Sequence, residues 1–307
     1  MARFKEAPTM MRAGVVGAKL LLRGYNGAGF LIGALAIASA FSHARAGDAR
    51  PQRIVSINQC TDELLLRLAD RDRIASVSWL SQDAANSNTA ELAAGMPVNH
   101  GLAEEVMAKR PDLVLASAYG SQTTINILRR LGVKVATFAP PNSLAEARAG
   151  ILALADAIGF YARGEAMVAQ MDADFAALAP EAHRPPLRAI VVQPNGFTAG
   201  KHSLAEDIMA RAGLENLASR LDMGNYLAIP LEAVALEKAD VLILDGEQKG
   251  APSLATDALR HPIVASLGLR EKVVSMPAKL WMCAGPNLVD AARKLIAGTR
   301  GAGQAAK

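Results

Sequence analysis

The sequence predicts an α/β fold of two Rossmann-like lobes joined by a single long rigid helix, and three observations predict it. Short apolar runs rich in β-branched residues alternate with stretches of helical period, the pattern of a mostly parallel sheet with crossover helices. One helix-then-strand unit occurs twice, as "HGLAEEVMAKRPDLVLASAYG" (100–120) and "IPLEAVALEKADVLILDGE" (229–247). At an offset of 128, Glu104 falls on Glu232, Val106 on Val234, Asp112 on Asp240, and Leu113, Val114 and Leu115 on Val241, Leu242 and Ile243. Between the two copies, residues 143–179 carry almost no strand signal and read as helix.

The N-terminal end is compositionally apart. In residues 1–46, Arg3, Lys5, Arg12, Lys19 and Arg23 lead into the apolar "GAGFLIGALAIASAF" (27–41), and Ala44, Arg45 and Ala46 give a small-x-small pattern before Gly47. That is the form of a cleaved secretory signal. The alternative is an uncleaved anchor, but 15 apolar residues fall short of the ~20 that span a bilayer. Met10 and Met11 lie inside the basic region, and a start at either leaves a signal of ordinary length. With no Cys near the cleavage point to carry a lipid and no second apolar span, the expected product is free and soluble outside the cytoplasmic membrane. Residues 1–46 hold six of the 33 Lys and Arg and one of the 29 Asp and Glu, so the remainder carries 27 against 28, a net of −1. The basicity belongs to targeting and gives no support to nucleic-acid binding. At 51% hydrophobic and 20% charged, the rest of the chain buries a sizeable core.

The elements follow in order. In a first lobe, 47–142, strands are expected in "RIVSIN" (53–58), "RIASVSW" (73–79), "DLVLAS" (112–117) and "VKVATFA" (133–139). A linker, 143–185, begins with the capping box Ser143 and Glu146 and is interrupted by "IGF" at 158–160. Its second helix runs from Ala162 to Ala179 and stops at Pro180, ahead of Pro185 and Pro186. Those 18 positions span ~27 Å. A flexible hinge would be rich in Gly, Ser or Pro, so this linker holds the lobes at a nearly fixed separation. In a second lobe, 186–300, strands are expected in "RAIVVQ" (188–193), "ADVLILD" (239–245) and "EKVVSMP" (271–277), with Ser203 and Glu206 capping a helix that continues to Arg211. Residues 301–307 read as a disordered tail.

Five pieces in this order resemble a known family. They are "RIVSINQCTDELLLRLADRDRIASVSW", "LAEEVMAKRPDLVLA", "FTAGKHSLAEDIMARAGLENL" (197–217), "PLEAVALEKADVLIL" and "LWMCAGPNLVDAARKL" (280–295), covering nearly all of residues 52–297. They are similar to the periplasmic substrate-binding proteins of ABC importers that carry iron–siderophore complexes, haem or cobalamin, in which one helix joins two α/β lobes. The resemblance implies a periplasmic monomer without cofactor or catalysis of its own, which captures a metal chelate or corrinoid and delivers it to a permease in the inner membrane. It also implies that Glu104 and Glu232, on the outer tips of the lobes, pair with permease arginines, the register excluding Glu105. A plainer reading makes them first-turn acids on a helix dipole, worth only ~0.3–1 kcal/mol, and both readings hold together.

Ligands of parallel α/β sheets bind at the carboxyl ends of the strands. The loops there contain Asn58, Cys60, Trp79, Tyr119, Phe197, the Lys201–His202 turn, Trp281 and Cys283. Both Trp residues fall in them, suited to gripping a bulky planar or greasy ligand, although an aromatic after a strand also serves as a core plug. A Cys60–Cys283 bridge would clamp the lobes at the cleft, but it needs Cα atoms within about 7 Å; two separate thiols are the alternative. His100, His183, His202 and His261 have no metal-ligand spacing, so no metal site is expected. The runner-up to a receptor is a secreted α/β enzyme using the same cleft, yet the sequence has no phosphate loop, nucleophile elbow or triad spacing. Only Lys201 and Lys279 supply cations near the cleft, which favours a neutral or weakly charged ligand.

Overall fold

The computed structural model describes residues 50–180, 185–221, 226–228, 239–245 and 273–300. The signal segment, Glu232, His183, His261 and the C-terminal tail lie outside the described residues.

The first lobe is a parallel sheet of β1 (Ile54–Ser56), β2 (Ile74–Ser78), β3 (Val98–Asn99), β4 (Leu113–Ser117) and β5 (Val135–Phe138), in the order β3-β2-β1-β4-β5. Ile54, Val55 and Ser56 of central β1 pair with Leu113, Val114 and Leu115 of β4, and all are buried. Such a strand is covered on both faces, which is why "IVS" and "LVLA" are continuous rather than alternating apolar runs. One face carries Ile54, Leu113 and Leu115 into the main core with Leu64, Leu65 and Leu68 of α1 (Gln59–Leu68). The other packs Val55 and Val114 on Ala103 and Val106 of α3 (Ala103–Ala108) and Leu128 of α4 (Gln122–Arg130). A short α2 (Ala90–Ala93) lies between β2 and β3.

The linker is a helical hairpin of α5 (Leu144–Ala157) and α6 (Tyr161–Ala176). Ser143 accepts from the Glu146 N–H, and Glu146 accepts from the Asn142 N–H, so the expected capping interactions open α5. Gly159, at φ +79°, closes it: the Phe160 N–H bonds Ala155 O and the Gly159 N–H bonds Asp156 O. The two helices cross where Gly164 lies against Ala155, too close for any added Cβ. α6 stops at Ala176, three residues before the expected end. Pro180 biases Ala179 away from helical backbone, and the chain turns off through a Leu178 N–H to Phe175 O bond. Both ends of α6 are anchored. Arg163 donates to Leu68 O and Asp70 in the first lobe and stacks, with Arg50 and Arg73, on Phe160. At the far end buried Phe175 meets Arg211 of α7 (Leu204–Arg211).

The second lobe has β6 (Leu187–Val192), β8 (Leu214–Asn216), β10 (Val241–Asp245) and β11 (Val273–Met276) in a parallel sheet ordered β11-β10-β6-β8, with an antiparallel ribbon of β7 (Phe197–Ala199) and β9 (Tyr226–Ala228). α8 (Asn287–Thr299) packs its apolar face beside β11. The strands that sequence patterning left out, β3, β7, β8 and β9, are two or three residues long and lack the continuous apolar run that marks the equally short β1. One apolar core runs through both lobes, from Leu64 and Leu65 through Ile151 and Leu154 of α5 to Leu204, Ile208 and Leu288.

Candidate functional site

A cavity of about 530 Å³ opens at the carboxyl ends of the strands, between the lobes. Asn58, Ser117 and Phe138, which follow or end β1, β4 and β5, form one wall; Gln193 after β6, Leu204 and Ala205 of α7, and Ala278, Trp281, Met282 and Ala284 form the other. Gly150 and Leu154 of α5 and the 139–141 turn complete it. Glu146 is the only charged residue of this lining among the described residues, and its carboxylate already accepts from Asn142.

Local chemistry places these groups. Asn58 caps α1, its side chain accepting from the N–H groups of Cys60 and Thr61. Ser203 caps α7, accepting from the Glu206 N–H. The Leu144 N–H at the start of α5 donates to Asp207 of α7 at 2.8 Å, so the linker and the second lobe share a helix cap beside the cavity. On α1 itself, buried Asp62 accepts from the Ser78 N–H and from the hydroxyls of Ser78 and Ser81. Burial pushes its carboxyl up to about 6, although the serine hydrogen bonds pull the other way.

Cys60 and Cys283 form a disulfide with Cα atoms 5.0 Å apart, joining the start of α1 to the 281–284 segment, and Cys60 lies in the cavity wall. Of the other residues expected from sequence, Asn58 and Trp281 line the cavity, Trp281 being 7% exposed. Trp79, Tyr119 and Phe197 do not; they stand 48%, 81% and 44% exposed after β2, after β4 and at the start of β7. Trp79 stacks on His100. Lys201 is exposed and also outside the lining. The aromatic criterion selected bulky rings wherever a strand ended, whereas the cavity wall has aromatic rings only at Phe138 and Trp281 among its described lining and is otherwise of smaller groups. Phe138, Pro140, Pro141, Leu204 and Met282 were missed, although the strand-end rule applied to "TFAPP" would have found the first three. Glu104 is exposed on α3, while the neighbouring Glu105 turns back to accept from the backbone N–H of His100 and to meet its ring, which holds its carboxyl below the usual range. Among the described residues no His, Cys, Asp and Glu cluster could hold a metal ion, and no helix is long and apolar enough to cross a membrane.

A family model described as periplasmic binding protein matches residues 54–271. Two solved structures share the fold: the periplasmic heme-binding protein RhuT of Roseiflexus sp. RS-1, 22% identical with a TM-score of 0.64 over 81% of this chain and 99% of that one, and the vitamin B12 binding protein BtuF of Vibrio cholerae, 18% identical with a TM-score of 0.59 over 82% and 98%. A cobalamin-binding protein of Halobacterium salinarum is 25% identical over 200 residues, 64% of this chain and 54% of its own length. The chain thus spans about half the length of the curated relatives it matches.

Proposed function

This chain belongs to the periplasmic binding protein family, a family of binding proteins and not of enzymes, and from that premise we propose that it captures a bulky, uncharged metal chelate of the corrinoid type. The observation that carries this reading is the lining of the inter-lobe cavity: apolar walls, a ring from Trp281, and no cation among the described residues that form it. Catecholate siderophores and the propionates of haem are anions, which a cavity of this kind would have to strip of water without a partner charge. A corrinoid offers large apolar area and neutral amides instead. The cobalamin-binding relative points the same way. Trp79, Tyr119 and Phe197, exposed outside the lining at strand ends, offer further contact to a ligand larger than the cavity.

The protein is exported by a signal cleaved after Ala46, acts in the periplasm as a monomer, and hands its ligand to an ABC permease through Glu104 and Glu232. Exposure of Glu104, beside a Glu105 already engaged with His100, supports that choice of carboxylate. The continuous core through α5 and the anchored ends of α6 support a cleft that closes little on binding, since lobes move freely only when their interface is small and polar.

Thermal unfolding with cyanocobalamin, haemin and a ferric catecholate tests the ligand. A ligand at a hundredfold excess over its dissociation constant stabilises by ~2.7 kcal/mol, and the expected order puts cyanocobalamin first. A shift with haemin or the catecholate alone overturns the choice of an uncharged ligand.

A further inference from the structure

Where the 279–287 segment meets α1, outside the cavity lining, two buried acceptors lie near one glycine. Glu63 of α1 is 3% exposed, and its Oε1 has no hydrogen-bond partner. Asn287, the first residue of α8, is also 3% exposed and its Oδ1 is likewise unpartnered. The orientation of that amide is set by its other end, because Nδ2 points to the carbonyl oxygens of Lys279, Leu280 and Cys283. Both oxygens close on Gly285: a Cβ added there would lie 3.1 Å from Glu63 Oε1 and 2.5 Å from Asn287 Oδ1. Each of these oxygens is buried without a hydrogen bond, which costs both.

We infer that Glu63 is a proton-binding site between the lobes: protonated, it donates to Asn287 Oδ1 and ties the start of α8, beside the disulfide-anchored Trp281 wall of the cavity, to α1; ionised, it gives up that bond.

Each packed element contributes to the balance. From α1, the Arg67 guanidinium is ion-paired with Glu63 Oε1 at 3.5 Å and favours the anion. From the loop after β2, Asn88 Nδ2 lies 3.4 Å from Oε2 while bonding Lys279 O. The Lys279 ammonium is turned to Ala84 O, Asp290 of α8 is paired with Arg293, and Asp62 is turned to Ser78 and Ser81. Glu91 and Asp290 line a second hollow together with Arg67 and Asn287. Burial outweighs Arg67 and Asn88 and lifts the Glu63 carboxyl to about 7, so the site changes charge in the range where pH sensors work.

The inference does not rest on the ligand reading, and its test needs no ligand. In a Trp79→Phe background, Trp281 is the only tryptophan and reports on its own wall. With the disulfide intact, its emission should follow a single-proton transition centred near pH 7. Glu63→Gln, which carries a permanent donor of the same shape, should show the low-pH emission throughout. A flat profile in the parent, or the same midpoint in Glu63→Gln, overturns the proposal. Should Glu63→Gln fail to fold, hydrogen exchange in the parent decides. After correction for intrinsic rates, amides of residues 279–288 should exchange faster above that pH than below it, and equal protection on both sides overturns it.

Discussion

The two lobes start their central strands with the same clamp and then use it differently. In the first, the Arg53 N–H donates to the Asp112 carboxylate at 3.0 Å and the Asp112 N–H returns to Arg53 O at 3.1 Å. In the second, the Arg188 N–H donates to Asp240 at 2.9 Å and the Asp240 N–H to Arg188 O at 2.8 Å. Asp112 and Asp240 are the residues that the internal repeat superposes. The arginine side chains part ways: Arg53 reaches the carbonyls of Lys109 and Arg110 behind α3, whereas Arg188 turns its Nε onto Asp240 itself. In a duplicated unit the aspartate clamp is constrained and its partner's side chain is not. A strand entering a parallel sheet needs its backbone groups satisfied, so the aspartate persists in both copies, while the side chain of its partner is spent on whatever lies nearby.

The largest expected effect tests whether the lobes are two folding units or one. Leu115 and Ile243 are equivalent in the repeat and both fully buried. Truncating either to Ala should cost about 2–5 kcal/mol. Because one core crosses α5 and a disulfide joins the lobes, each variant should lower a single unfolding transition seen by calorimetry. Two separated transitions, only one of which moves, would show that the lobes unfold independently.

A smaller effect sharpens the clamp. Asp112→Ala removes an acceptor for the N–H groups of Gln52 and Arg53 and, being exposed, should cost about 1 kcal/mol. Asp240→Ala also loses a charge-assisted bond from Arg188 and should cost up to about 2 kcal/mol. Urea midpoints at unchanged slope measure both. Equal losses would mean that the second use of Arg188 contributes nothing.

The smallest effect on the folded protein belongs to the repeated glutamates. Glu104→Lys should leave stability and ligand affinity unchanged, yet weaken docking to the permease by roughly 2–5 kcal/mol and reduce uptake. Glu105→Lys, which breaks the His100 contacts, should do much less to uptake. If Glu105 is the sensitive position, these acids open a helix and the duplication is only architectural.

The same contrast explains what sequence could show. β1, β2, β4, β6 and β10 were legible because strands buried on both faces are runs of Ile, Val and Leu, and the edge strands β5 and β11 because their β-branched residues follow what reads in the sequence as a helix end broken by Gly. The caps at Ser143 and Ser203 were legible because a cap is a local bond. Trp281 was found by its place after a strand, but Trp79 obeys the same rule and stands outside the cavity, since what distinguishes them is packing and not position. Glu63 could not be found at all. In "QCTDELLLRL" it reads as one more acid near the start of a helix, and only the fold brings Gly285, 222 residues further on, beside its buried carboxylate.

The bridge between Cys60 and Cys283 spans 223 positions of sequence, so both lobes and the linker belong to one covalent ring. Under tension applied at the chain ends, force enters through β1, crosses the sulfur bridge and leaves through α8, and the ring itself carries no load. Pulling can peel only those outer elements, and β4, β6, β10 and the α5–α6 hairpin stay mechanically silent until the bridge is reduced.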